Sequence, residues 1–232
     1  MSDFNTAAAP TSETRRLAWR LSIWAGIIGP ILYTLVFTLD GAFRPGYSAI
    51  NVAVSFLLLG SNGWIEIANY IVLGLLLIVF ALGFLQWRSA VITAGWRRAI
   101  TALLVLSGLG FVMAALFLPD PVGDLQLSVH ARLHEIAFTL VFLPLGISCL
   151  LIGNQFRKIA GWRIHGWYSM ITGLPTSLAA LGSLSGLFSP ALPPSSGGLF
   201  ERILIIIDFA WLVILASRML MQERGGLKAP GQ

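Results

Sequence analysis

Long apolar runs alternate with short polar joints along this chain. The runs lie at about 17–39, 64–87, 99–118, 134–153, 166–188 and 202–221. Each is near the roughly 20 residues that a helix needs to cross the hydrocarbon of a bilayer. None shows the period-two alternation of a membrane β-strand, and a backbone in lipid must satisfy its own amides, so the pattern predicts six transmembrane helices. One further apolar stretch, YSAINVAVSFLLLG at 47–60, is too short to span and reads as a re-entrant or interfacial segment lying over one face as a lid. SPALPPSSGG at 189–198 reads as an extended loop.

The ends of the chain differ from this body. Residues 1–16 are small and polar and are expected to be disordered, and 222–232 to be a loose tail, leaving 17–221 as the membrane domain. The run after Arg16 is longer than a signal-peptide core and no small-residue cleavage site closes it, so it is expected to stay as an anchor. The fifth run is rich in small residues, with Gly182 and Gly186 four apart, which predicts close helix packing at the centre of the bundle.

Composition strengthens the membrane reading: 56% of residues are hydrophobic and only 11% charged. A water-soluble domain carries about a quarter charged residues. Charge then sets an orientation. Twelve of the fifteen basic residues fall on the side of both termini, while Arg44, Arg132 and Arg202 fall on the other with most of the acids. By the positive-inside rule both termini are expected in the cytoplasm of a bacterial inner membrane. The net charge of +5 is thus a topology signal and an attraction to membrane lipids, not a nucleic-acid footprint. Most of the eight tryptophans sit near run ends and read as an interfacial belt, and Cys149 reads as a small packing residue.

The unusual chemistry is in LPDPVGDLQLSVHARLHE, 118–135, on the outer side. His130 and His134 are four apart and would share a helix face, with Asp120 nearby. Such a set could hold a divalent transition metal such as zinc, and metal-activated water could then cleave a lipid, with Glu201 or Asp208 as the base. The HExxH signature is absent, since Ala131 follows His130. Haem is disfavoured, because the two histidines on one helix cannot clasp both faces of one porphyrin and His165 belongs to the opposite side. Asp208, about two turns inside the sixth run, is the candidate for a proton-coupled transporter. The plainer alternative is an ion-pair network in which His130, Arg132 and Arg202 neutralise Asp120, Asp124 and Glu201.

Three passages carry a resemblance. RPGYSAINVAVSFLLLGSNGWIEIANYIVLGLLLIVFALG (44–83), FLPDPVGD with HARLHE (117–124 and 130–135) and GLFERI (198–203) resemble bacterial six-helix membrane proteins catalogued as domain-of-unknown-function family 998. The resemblance implies an all-α six-helix bundle with its shared residues on one side: Arg44, Gly46, Tyr47, Ser55, Gly60, Gly63, Trp64, Asn69, Asp120, Pro121, His130, His134 and Arg202. Members often have Ser-Glu-Leu where this chain has Ser55-Phe56-Leu57, so one family carboxylate is missing. A more distant similarity, by analogy only, is to the ceramidase and receptor superfamily of membrane hydrolases.

The expectation is a polytopic membrane protein with an outer-face pocket for a lipid headgroup or small polar ligand. Arg44, Tyr47, Ser55, Asp120, His130, His134 and Arg202 would line it, with the arginines meeting an anion. A metal-dependent lipid hydrolase and a proton-coupled transporter are the alternatives.

Overall fold

The computed structural model describes residues 11–87, 91–121, 127–184 and 197–225. It is all-α, with six long helices: α1 (Ser12–Phe43), α2 (Gly63–Gln86), α3 (Ala94–Leu116), α4 (Val129–Phe156), α5 (Arg163–Leu184) and α6 (Gly197–Gly225). A short 3₁₀ turn, Val54–Leu58, lies between α1 and α2. Consecutive helices pack side by side, and α6 returns to pack on α1, closing the ring.

Each helix falls on its predicted run: α1, α4 and α6 overrun theirs at both ends, α2 and α3 stop at Gln86 and Leu116, short of the expected ends, and α5 is described as far as Leu184. α1 starts at Ser12, inside the stretch expected to be disordered, because the Thr11 side chain accepts the Thr14 amide and caps the helix. α6 likewise continues to Gly225, inside the expected tail. Residues 1–10, Asp124, Gly186 and nearly all of the 189–198 loop lie outside the described residues.

The surface pattern is inverted relative to a water-soluble bundle. On α5, Ile164, Trp167, Ile171, Leu174, Leu178 and Leu181 are exposed at helical spacing, while Ser169, Thr172, Thr176 and Ser177 are buried. Among the described residues, five helices are long and apolar enough to cross a membrane: α1, α2, α3, α4 and α6. α5 is 22 residues long; its inward hydroxyls and glycines dilute its hydropathy. These are the helices of a multi-pass membrane protein.

Backbone contact explains the tight α4–α5 pair. A Cβ added at Gly173 would sit 2.6 Å from the Gly146 carbonyl oxygen, and one at Gly153 would sit 2.8 Å from that of Gly166. Close backbone approach of the kind expected at Gly182 and Gly186 is shown at Gly166 and Gly173, more than two turns before Gly182 and facing glycines of α4. The tryptophan belt also needs correction. Trp64 and Trp167 are exposed, but Trp87, Trp162 and Trp211 are core residues. Trp87 packs edge-on and Trp162 tilted against Phe156, and the Trp211 indole donates to Ser169 at 2.8 Å.

Two faces of the bundle follow. On the terminal face Glu223 of α6 pairs with Arg16 and Arg20 of α1. Arg218 donates to the Gly161 carbonyl, and Arg97 to that of Trp87, on the same face. The distal face carries the Val54–Leu58 turn, the start of α6 and the connection from α3 to α4.

Candidate functional site: a capped polar cluster on the distal face

The segment between α1 and α2 is a built cap. Val54, Leu57 and Leu58 are fully buried and hold it down. Gly46 (φ 73°) and Gly60 (φ 81°) bracket it in the left-handed region. An added Cβ would meet nothing within 4 Å at either position, so it is the backbone conformation that calls for glycine there.

Such a cap leaves backbone groups without secondary-structure partners, and charged side chains from α6 supply them. Glu201 accepts the Val54 amide at 2.7 Å. Nη1 of Arg202 faces the carbonyls of Ala49 (2.7 Å), Val52 (3.0 Å) and Gly198 (3.0 Å). Nη2 of Arg202 donates to the Tyr47 hydroxyl, which itself faces the carbonyls of Val52 and Ala53 at 3.1 and 3.0 Å. The guanidinium also lies over the rings of Phe37 and Tyr47. Burial pushes the Tyr47 phenol up from its ordinary value, partly offset by Arg202. Arg44, at the end of α1, donates Nη1 to the Leu59 carbonyl (2.6 Å) and Nη2 to Asp40 (2.7 Å).

The Nη groups of both arginines are therefore taken, those of Arg202 by the cap, α6 and Tyr47 and those of Arg44 by the cap and Asp40 of α1. What remains open is different. Nε of Arg44 is buried with no partner. Glu66, in the first turn of α2, has no exposed surface; one oxygen accepts from Asn69 at 3.0 Å, and the other is buried with no partner. Asn69 also donates to the Tyr33 carbonyl at 3.2 Å, tying the start of α2 to α1. Ser55 lies half-buried within the cap.

The passage 118–135 is arranged otherwise. Asp120 accepts the Ser128 amide at 2.6 Å and its hydroxyl at 2.7 Å, closing the connection just before α4. These bonds hold the Asp120 carboxyl below its usual range. Ser128 in turn caps α4 through the Ala131 amide. His134 is buried, and its Nδ1 lies 2.7 Å from the Phe117 carbonyl and 3.2 Å from that of Ala114, at the end of α3. His130 is exposed and packs on the Phe117 ring. The proposed ligands thus have separate duties. Among the described residues, no three His, Cys, Asp or Glu side chains are grouped so as to hold a metal. Asp208 stands apart from both sets, deeper along α6.

Glu66 was readable in sequence as the sole charged residue of the 64–87 run, the same signal that marked Asp208.

No curated protein and no solved structure matches the chain. The family model described as "Protein of unknown function (DUF998)" matches residues 27–218, which takes in the cap, the Asp120–His134 turn and Asp208, and the chain belongs to that family.

Proposed function

We propose that the chain spans a bacterial inner membrane six times, with both termini in the cytoplasm, and that its capped distal site receives a zwitterionic headgroup. α5 serves as the sixth span: its exposed apolar stripe continues the lipid-facing surface of its neighbours. The arginines of the terminal face then lie on the cytoplasmic side, as the positive-inside rule requires.

The observation that carries the ligand is the pair of unused polar atoms between the end of α1 and the start of α2. Arg44 Nε is a donor without an acceptor, and Glu66 offers an acceptor without a donor. Buried polar groups are costly unless paired, so the two call for a guest with both signs. The phosphate of a lipid headgroup suits the guanidinium, and an ammonium suits the carboxylate. The cap between Gly46 and Gly60 is the movable element, since the sealed site must open to admit anything.

The test is retention of lipid through purification. Wild type, Glu66→Gln and Arg44→Lys proteins are washed in detergent, and bound ethanolamine phospholipid is quantified by mass spectrometry. Wild type should keep near-stoichiometric lipid, and each variant should lose it at least about tenfold, the equivalent of one lost charged contact. Equal retention in folded wild type and variants would leave the cluster a polar knot and end the reading.

A further inference from the structure

The deepest polar group of the bundle has no part in the capped site. Asp208 follows Glu201 by seven residues, about 10 Å further along α6, and has no exposed surface. One oxygen accepts from Thr176 at 2.7 Å, and the other is buried with no partner. Thr172, one turn earlier on α5, is also fully buried, and its hydroxyl faces the Tyr168 phenol without closing a hydrogen bond. Thr176 shares its hydroxyl between Asp208 and the Thr172 carbonyl (2.9 Å), so the three residues form one connected patch. Pro175 lies inside α5 and has no amide to offer the Ile171 carbonyl next to Thr172.

The groups around the patch do not neutralise it. Cys149 of α4 and Tyr168 of α5 are the titratable side chains that feel the charge of Asp208, and neither is a cation. On α1, the Tyr33 ring meets Phe209 at 5.5 Å, which sets the level of Asp208; Arg20 and Asp40 are about two turns or more away. α3 reaches the same level through Phe111, and its Arg97 and Arg98 lie in its first turn, far along the axis. Among the described residues no salt bridge includes Asp208.

We propose that Asp208, Thr172 and Thr176 form a monovalent-cation site inside the bundle, distinct from the capped headgroup site and filled by a proton or a sodium ion. A carboxylate alone in an apolar interior must share its charge with a cation. Hard oxygen donors select a proton or an alkali ion over a soft metal. One carboxylate balances one positive charge, which disfavours a divalent ion in so apolar a setting.

Infrared difference spectroscopy on reconstituted protein tests the site without requiring a reagent to reach it. The carbonyl stretch of a protonated carboxyl is followed while pH and sodium chloride are varied separately, against choline chloride. A band that disappears as pH rises, is indifferent to sodium and is absent from Asp208→Asn identifies a proton site. A band whose midpoint moves about one pH unit per tenfold sodium, as one-for-one competition requires, identifies a sodium site. Thr176→Val keeps the carboxyl and should shift the band's frequency, which guards against a misfolded Asp208→Asn protein. A spectrum that responds to neither pH nor sodium, or that responds identically in wild type and Asp208→Asn with Thr176→Val unshifted, overturns the proposal.

Discussion

The two connections on the distal face hold their backbones in opposite ways. Between α1 and α2, three apolar side chains are driven into the bundle, and the backbone they drag with them is paired by Arg44, Tyr47, Glu201 and Arg202. Between α3 and α4, Asp120 and Ser128 close the chain at its exposed edge, and His134 alone reaches inward to backbone carbonyls. The difference follows from depth. Peptide groups that leave water need strong partners, and charged donors give the strongest. Side chains at an edge can be weaker and fewer. Most ionisable groups of this face are therefore structural ties, and the exceptions, such as the bare oxygen of Glu66, stand out against them.

The contrast breaks most visibly at Arg202. Arg202→Ala removes the donor shared by three carbonyls and the Tyr47 hydroxyl at once. We expect a loss of about 3 kcal/mol or more, since each bond to a charged group contributes about 1.5–3 kcal/mol and several are lost at once. Thermal unfolding in detergent, followed by limited proteolysis, measures it, and cleavage should concentrate between residues 47 and 60. Arg202→Lys should recover less than half, because an ammonium cannot match the planar fork. A variant as stable and as protease-resistant as wild type would mean that the apolar anchors hold the cap unaided.

His134→Ala ranks second. It leaves the Phe117 carbonyl without its imidazole partner and opens a small cavity, for an expected loss of about 1–3 kcal/mol. His134→Asn should recover part of it if the amide reaches the carbonyl. Thermal unfolding again gives the value. The result should not depend on added zinc or chelator; a stabilisation by zinc that vanishes in the variant would restore a metal role to the histidine pair.

How far the sequence reaches differs between these parts. All six helices are legible, because apolar length and period are local properties of the chain. The inward duty of α5 is less so: its hydroxyls read as weak hydropathy until the bundle shows which face they occupy. The cap is visible as a short apolar stretch, and Gly46 and Gly60 stand at its edges. Its fastening is not, since Glu201 and Arg202 lie about 150 residues away from their partners and nothing local links them. The histidine pair misleads for a related reason. Spacing of four places both side chains on neighbouring turns of one helix, but α3 ends beside His134 and supplies carbonyls that claim its ring.

The smallest effect gives the sharpest contrast. The Asp120 carboxyl is held below its usual range by the Ser128 amide and hydroxyl. A group whose folded value is depressed adds stability above the unfolded value of about 3.9 and loses it as pH falls through the lower folded value. The tie between Asp120 and Ser128 should therefore loosen only in acid, and protection of the Ser128 amide from hydrogen exchange should fall there once corrected for intrinsic rates. Asp120→Asn should flatten that pH dependence. Over the same range the Ala49 and Val52 contacts should hold, because they join a guanidinium to backbone carbonyls and no carboxyl takes part in them. A Val54 amide that loses protection in step with Ser128 would couple the two connections through the carboxyl of Glu201. The distal face would then be one acid-sensitive network, in place of a deep clasp beside a shallow one.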